Sequence, residues 1–276
     1  MEFPNTKSLA SIRHTGHEFA SRSAGYSDAS GYGLRIVEDQ GEKRSDLRKR
    51  TESKFLIPGA DIESIRQILK QRFEPQTHGH KFSTVRSLYF DDPRLSACRA
   101  NLEGLDGRRK VRIRWYDSPK PQHEFFFEVK WRENKLTGKH RLRMNAERPL
   151  HQWTFRQLQQ QLNTVLPEKF QSRFLRNIEP VLIVEYRREH FVAIESTRAT
   201  DVRLTLDYDL KFYDQTGRSG LNLDFGRRML DFALIECKVP SGFSVRTETL
   251  FSPLKLRIGS CSKYVAGCQT LDLMRA

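Results

Sequence analysis

The chain has 276 residues, 48 Lys and Arg against 34 Asp and Glu, and a formal net charge of +14 at pH 7. Hydrophobic residues are 37% and charged residues 30%, against globular averages of roughly 45–50% and ~25%, and no apolar run approaches the ~18 residues of a membrane helix. With 18 Phe, 8 Tyr and 3 Trp full disorder is excluded, and the positive excess points to an anionic partner: nucleic acid, a membrane surface or a phosphate-rich small molecule.

Residues 1–48 are rich in Ser and Gly (Ser21, Ser23, Gly25, Ser27, Ser30, Gly31, Gly33) and lack sustained apolar periodicity. They read as a mostly disordered N-terminal segment, with 49–276 as one domain. The first ten residues lack the basic start and apolar stretch of a secretory signal. Residues 1–50 hold nine basic and seven acidic side chains, which leaves a net +12 to residues 51–276. The positive charge therefore belongs to the folded part.

From Thr51 onward, period-two alternation predicts strands over residues 51–57, 82–90, 109–116, 124–132, 139–144, 181–194, 202–212 and 233–239. Ile62, Ile65, Ile68 and Leu69 follow Asp61, spaced as one apolar face of a helix with Asp61 as its N-cap. A second helix is predicted over residues 153–166, and residues 253–269 read as helical in part. The fold class is α+β, mainly antiparallel β. Four cysteines (Cys98, Cys237, Cys261, Cys268) show no CxxC pairing and fit reduced thiols in a cytosolic protein. His78 and His80 lack a nearby third ligand and read as a polar loop rather than a metal site.

Successive strand residues point to opposite faces, so each strand can be read face by face. Val111, Ile113 and Trp115 oppose Arg112 and Arg114; Phe127, Val129 and Trp131 oppose Glu128 and Lys130. Lys139 and Arg141 alternate with His140 and Leu142. Arg203, Thr205 and Asp207 alternate with Leu204 and Leu206, Glu236 and Lys238 with Ile235 and Cys237, Glu52 and Lys54 with Phe55 and Ile57. Alternation alone leaves a dedicated anion site and an ordinary solvated sheet face evenly matched. Chemistry separates them further. Like charges lining one surface repel unless a polyanion or water screens them, and Arg forks and Lys point charges both suit phosphoryl oxygens. Carboxylates among them can hold Mg²⁺ or Mn²⁺. No helix-turn-helix, zinc-finger, RRM or KH signature supports nucleic acid, and no basic amphipathic helix supports a membrane surface.

The motifs that carry these residues run in order along the chain. They are Glu52-Ser53-Lys54-Phe55, Tyr89-Phe90-Asp91, Lys110-Val111-Arg112-Ile113-Arg114-Trp115-Tyr116, Phe127-Glu128-Val129-Lys130 and Lys139-His140-Arg141. Tyr186-Arg187-Arg188, Arg203-Leu204-Thr205-Leu206-Asp207, Ile235-Glu236-Cys237-Lys238 and Ser262-Lys263-Tyr264 follow. The set resembles the VTC domain, the catalytic domain of the vacuolar transporter chaperone polyphosphate polymerases and their bacterial relatives. That domain belongs to the triphosphate tunnel metalloenzymes, with the CYTH phosphatases and cyclases. The resemblance implies an eight-stranded antiparallel tunnel barrel with helices packed outside.

It also implies roles. Lys54, Arg112, Arg114, Lys130, Lys139, Arg141, Arg188, Arg203, Ser262 and Lys263 would bind phosphates, with Lys54, Arg112, Arg114, Lys130, Glu236 and Lys263 at the catalytic centre. Glu236 would hold Mn²⁺ or Mg²⁺, with Glu128 either joining it or, like Asp207, orienting neighbouring Lys and Arg, and Tyr186 would either stack on a nucleotide base or pack as a core Tyr. The CYTH branch carries Glu-x-Glu-x-Lys at its start, whereas this chain has Arg50-Thr51-Glu52-Ser53-Lys54 with only the later Glu, which favours the VTC branch. The implied activity is transfer of the terminal phosphoryl group of ATP onto phosphate or polyphosphate. Hydrolysis of tripolyphosphate or nucleotides is the alternative, and a non-catalytic polyphosphate sensor a third. The expected partners are ATP and polyphosphate, not nucleic acid, in the cytoplasm. The SPX domain and membrane helices of the eukaryotic polymerases are not read in this sequence, so export of a product would need a separate membrane partner.

Overall fold

The structure is a computed structural model, and it describes residues 33–39, 50–77, 79–134, 136–171, 178–194, 202–240, 254, 256 and 258–275. Among these, ten strands form one antiparallel sheet. They are β1 (Leu34–Asp39), β2 (Arg50–Pro58), β3 (Phe73–Gln76), β4 (Ser83–Asp91), β5 (Arg108–Tyr116), β6 (Glu124–Glu133), β7 (Leu136–Ala146), β8 (Glu179–Ala193), β9 (Arg203–Asp214) and β10 (Arg227–Pro240). The strand order is β1-β7-β6-β5-β4-β8-β9-β10-β2, with β3 on β8. Four helices of seven residues or more accompany it: α1 (Ile62–Lys70), α2 (Ser96–Leu102), α3 (Phe155–Val165) and α4 (Lys263–Thr270).

Local chemistry sets the helix starts. Asp61 caps α1 by accepting from the Glu63 backbone N–H at 3.1 Å. Thr154 and Gln157 close a reciprocal capping box on α3, which satisfies two N–H groups that the first turn leaves unpaired.

The sheet curls. Six strand-to-strand steps separate β6 from β2, roughly 29 Å if flat at ~4.8 Å each. Yet Glu52 on β2 and Lys130 on β6 feel each other's charge, and Lys110 on β5 feels that of Lys54 on β2. Such interactions across the concave side require the two ends to face one another around a lumen.

Three apolar clusters hold this shape. Val111, Ile113, Phe125, Phe127, Val129 and Leu142 pack on the convex side against Phe155, Leu158 and Leu162 of α3. Phe55, Leu204, Leu206, Ile235 and Cys237, also convex, pack against Ile65 and Leu69 of α1. The third lies elsewhere: Val85, Tyr89, Leu182, Val184, Tyr186 and Phe212 meet Tyr264, Val265 and Cys268 of α4 and Cys98 of α2. Tyr89 and Tyr186 share their strand face with the lumen charges, because their hydroxyls accept from Arg112 and Arg114. This cluster therefore fills part of the concave side.

Two expectations change. The eight expected strands are present as β2 and β4 to β10, but they do not form a closed eight-stranded barrel, because other segments occupy both free edges. β1 pairs with β7 over Leu142–Ala146, and Gly259 donates to the Lys54 carbonyl at 2.8 Å beside a Phe55–Ile258 bridge. Nor do all helices lie outside, since α2 and α4 cover the inner apolar half. Of the segment 1–48 read as mostly disordered, Leu34–Asp39 is a strand and residues 1–32 and 40–48 lie outside the described residues, as does His78. The expected helix near the C-terminus is α4, shorter than the predicted span.

Candidate active site

Cross-strand register brings the charged side chains together. On β5–β6–β7, Arg112 lies opposite Glu128 and Glu128 opposite Arg141. Glu128 is 1% exposed in its side chain and sits amid four cations. Arg112 Nε donates to its Oε2 at 2.7 Å, and Arg114 Nη1 is 3.8 Å from the same oxygen. Lys139 Nζ and Arg141 Nε are 3.1 and 3.3 Å from Oε1. Burial works to raise the Glu128 carboxyl, but Arg112, Arg114, Lys139 and Arg141 hold it well below the usual range.

A second acidic centre joins β8, β9, β10 and α4. Arg188 lies opposite Asp207 and grips it through Nε and Nη2, each at 2.6 Å from a carboxylate oxygen. Lys263 Nζ is 2.6 Å from Asp207 Oδ2 and 3.4 Å from Glu236 Oε1, and Arg188 Nη2 is 3.3 Å from Glu236 Oε2. Lys54, in register with Glu236, is 3.8 Å from Glu236 and 3.2 Å from Glu52, and donates to the Cys261 carbonyl at 3.3 Å. Burial works to raise Glu236 too, yet Lys263, Arg188, Lys54 and Lys130 hold it well below the usual carboxylate range. It is ionised and lumen-facing at any pH near neutrality.

Neutral side chains seat the cations. Tyr89 accepts from Arg112 at 2.8 Å, Ser87 from Arg114 at 3.1 Å and Tyr116 from Arg141 at 3.2 Å. Tyr186, which the resemblance assigns to base stacking, is buried. Lys263 Nζ lies 4.8 Å and the Arg188 guanidinium 5.2 Å from its ring centroid, and its hydroxyl accepts from Arg114 at 3.4 Å. Ser262 is the N-cap of α4, accepting from Val265 N–H at 3.4 Å, and so sets Lys263 at the first helical position.

Lys130 points into the lumen between Lys110 and Lys139, its register partners. Burial there, then Arg112 and more weakly Lys139, pull it down to about 7, against Glu52 and Glu236. Its surface is nonetheless exposed, so screening makes that fall an upper limit. Arg203 begins β9 on the same face, in register with Lys238. The roles of Ser87, Tyr89 and Tyr116 were missed by charge-based reading, although Tyr89 alternates with Phe90 just as the lumen cations alternate with core.

Among the described residues no group of three or more His, Cys, Asp or Glu gathers to hold a cation. The donor set still fits a divalent ion of the kind Mg²⁺ exemplifies, which takes one or two carboxylates and completes its shell with phosphate and water oxygens. Glu236, with Glu52 across the β10–β2 pair and sharing Lys54, supplies such carboxylates. Glu128, ringed by Arg112, Arg114, Lys139 and Arg141, is the carboxylate of the other centre.

No helix of the described residues is long and apolar enough to cross a membrane. Comparison with known proteins agrees with the motif reading. No curated protein matches the chain. Among solved structures it is similar to a putative adenylyl cyclase from Hippeastrum described as having a dominant triphosphatase activity. That likeness is at 14% identity and a TM-score of 0.40, over 80% of this chain and 95% of that one. The VTC domain model matches residues 49–272, which takes in β2 to β10, both acidic centres and α4, and the chain belongs to the VTC domain family.

Proposed function

We propose that this chain is a metal-dependent polyphosphate polymerase that transfers the terminal phosphoryl group of ATP onto phosphate or a growing polyphosphate chain in the lumen. The observation that carries this reading is the meeting of Lys54, Arg188 and Lys263 around one ionised, lumen-facing Glu236, with a second cationic centre around Glu128. One such centre is enough for a triphosphate. Two along one lumen suit an anion that is a chain.

Phosphoryl transfer asks little covalent help of a protein; in-line positioning and neutralisation of spreading charge do most of the work. In this reading Lys54, Arg188 and Lys263 hold the reacting phosphates, with Ser262 fixing the helix start that presents Lys263. Arg112, Arg114, Lys139, Arg141 and Arg203 hold the chain beyond them. Glu128 orients its four cations instead of taking a metal. Tyr186 seats Arg114, Arg188 and Lys263 instead of stacking on a base. Glu236 and Glu52 are the carboxylates for Mn²⁺ or Mg²⁺. Bound there, the cation would offset charge on the phosphate oxygens as the bond to the leaving diphosphate lengthens. The reading places the reaction in the cytoplasm, with a separate membrane partner for any export.

The test is a product gel with radiolabelled ATP, with and without Mn²⁺. Long labelled polymer with release of ADP, dependent on the cation, is the expected result. Orthophosphate from ATP or tripolyphosphate without chain growth replaces the reading with hydrolysis. Tight binding that survives chelation, with no turnover, replaces it with a sensor.

A further inference from the structure

Thr205 has no part in the roles above, although alternation along β9 sets it on the lumen face between Arg203 and Asp207. Register places it directly opposite Glu236 on β10 and His190 on β8. The residue is 7% exposed, and its hydroxyl oxygen is closed to solvent and has no hydrogen-bond partner among the described residues. A buried hydroxyl in that state has given up its hydration without a bond in return, which folded proteins seldom tolerate. The two carboxylates beside it are held very differently. Asp207 has contacts of 2.6 Å from Arg188 Nε, Arg188 Nη2 and Lys263 Nζ. Glu236 has none that short: Arg188 lies at 3.3 Å, Lys263 at 3.4 Å and Lys54 at 3.8 Å.

We propose that Thr205 is a positioning residue for Glu236: when phosphates draw Lys54 and Lys263 away, its hydroxyl donates to the Glu236 carboxylate and keeps it turned toward the cation. This rests on the polymerase reading, which gives Glu236 to the cation and the two lysines to the phosphates. In the ligand-free chain those same lysines help to hold Glu236, so an arriving phosphate competes for them. Arg188 stays gripped by Asp207, and Glu236 is left with its one 3.3 Å contact. Carboxylates that bind a metal are themselves held by hydrogen bonds from neighbouring groups. Directly opposite residues of an antiparallel pair have Cβ atoms roughly 4.5–5.5 Å apart, within mutual reach of a Thr hydroxyl and a Glu carboxylate. Thr205 stands at that position with its donor unused, and a neutral donor adds no further positive charge beside the cation.

The experiment compares the full chain with Thr205→Val, which keeps the shape and removes the hydroxyl, and Thr205→Ser, which keeps the hydroxyl. Mn²⁺ affinity is read from the paramagnetic-resonance signal of the free ion, with inorganic phosphate present to occupy Lys54 and Lys263. Phosphate affinity is read separately in the presence of a chelator, and thermal unfolding without any ligand. Thr205→Val is expected to lose about tenfold or more in Mn²⁺ affinity, the range for a group that orients a metal ligand, with less than about twofold change in phosphate affinity. Its melting temperature is expected to equal or exceed that of wild type, because a methyl replaces a hydroxyl that has no partner. Thr205→Ser is expected to restore Mn²⁺ binding. Unchanged Mn²⁺ affinity in Thr205→Val overturns the proposal, as does failure of Thr205→Ser to restore it. An equal loss of phosphate affinity makes Thr205 a phosphate contact, and a lower melting temperature makes its hydroxyl part of the fold; either result also overturns it. A wild-type chain that binds phosphate but no Mn²⁺ overturns the metal-dependent reading itself and this proposal with it, a result distinct from failure of the variants.

Discussion

Arg188 and Asp207 form a two-pronged ion pair across β8 and β9, with both guanidinium–carboxylate distances at 2.6 Å and the Asp207 side chain fully buried. Lys263 joins the same carboxylate from α4 at 2.6 Å. One buried acid thus fixes two cations from two different elements and aims them at the space beside Glu236. Removing one partner of a buried pair costs far more than the pair is worth, because the other charges stay buried without compensation. Asp207→Asn is expected to destabilise the fold by about 3–5 kcal/mol, read as a lower denaturation midpoint. Unchanged stability would mean that Arg188 and Lys263 are neutralised by other groups.

Glu236→Gln separates chemistry from folding. Asp207 remains to hold Arg188 and Lys263, so the melting temperature is expected to stay close to wild type. Loss of the lumen-facing carboxylate should cut cation-dependent turnover by about a hundredfold or more, the scale of losing one electrostatic element of a phosphoryl-transfer site. Phosphate binding without cation should tighten at the same time, since one negative charge has left the lumen. A variant that keeps cation-dependent turnover would remove Glu236 from the centre of the site.

Much of this arrangement was legible because a strand has a period of two. Once Arg112, Arg114, Glu128 and Lys130 were seen to alternate with core, their common face followed, and so did their cross-strand meetings. The inner apolar half was harder to see. Its sign was Val181-Leu182-Ile183-Val184, a run apolar on both faces, which means that both sides of β8 are covered there. Helix α2 escaped for a different reason. It is seven residues long, and its N-cap, Leu95 at φ 54°, gives no side-chain cap. Asp91, from the end of β4, supplies that function by accepting from the Ala97 and Cys98 N–H groups at 3.0 and 2.8 Å. Asp92 likewise accepts from the Ser96 N–H at 3.0 Å, so the caps come from four and five residues ahead of the helix, not from the usual N-cap position. β1 escaped because six residues in a Ser/Gly-rich stretch become a strand only when β7 offers them an edge.

Lys110, Lys130 and Lys139 lie in register as a row across β5, β6 and β7, and this row is expected to make binding pH-dependent. Lys130, drawn down toward about 7, and Lys110 and Lys139, drawn down to about 8, lie below the ordinary lysine value of 10.5. Below those values all three are charged in the folded state, and the fold bears their full repulsion. As pH rises from about 7 toward 10.5 the folded protein binds fewer protons than the unfolded chain, so their contribution to stability increases with pH. Polyphosphate favours the charged forms, so its binding should take up protons above about pH 7 and weaken as pH climbs through 9. Calorimetry in two buffers of different ionisation enthalpy gives the proton count. A count of zero at pH 8 would show that the row is fully charged without ligand.

Gly267 ties the inner helix to the site. A Cβ there would stand 2.8 Å from Phe212 Cδ1 and 3.2 Å from both δ-methyls of Leu182, because α4 lies close on β8 and β9. Gly267→Ala has two opposing effects: alanine favours the helix by up to about 1 kcal/mol, and overpacking a filled core costs about 1–3 kcal/mol. Phe212 and Leu182 are themselves fully buried, so the relief must come from α4 moving away from the sheet. That motion would carry Ser262 and Lys263 away from Asp207 and Glu236. The expected outcome is a net loss of about 1–2 kcal/mol in stability, together with weaker phosphate binding, measured by thermal unfolding and titration. Leu182→Ala in the same chain should open the space that the new methyl needs and recover binding, while Leu182→Ala alone should not improve it. If the double variant binds no better than Gly267→Ala, the position of α4 is not what couples this contact to the phosphate site.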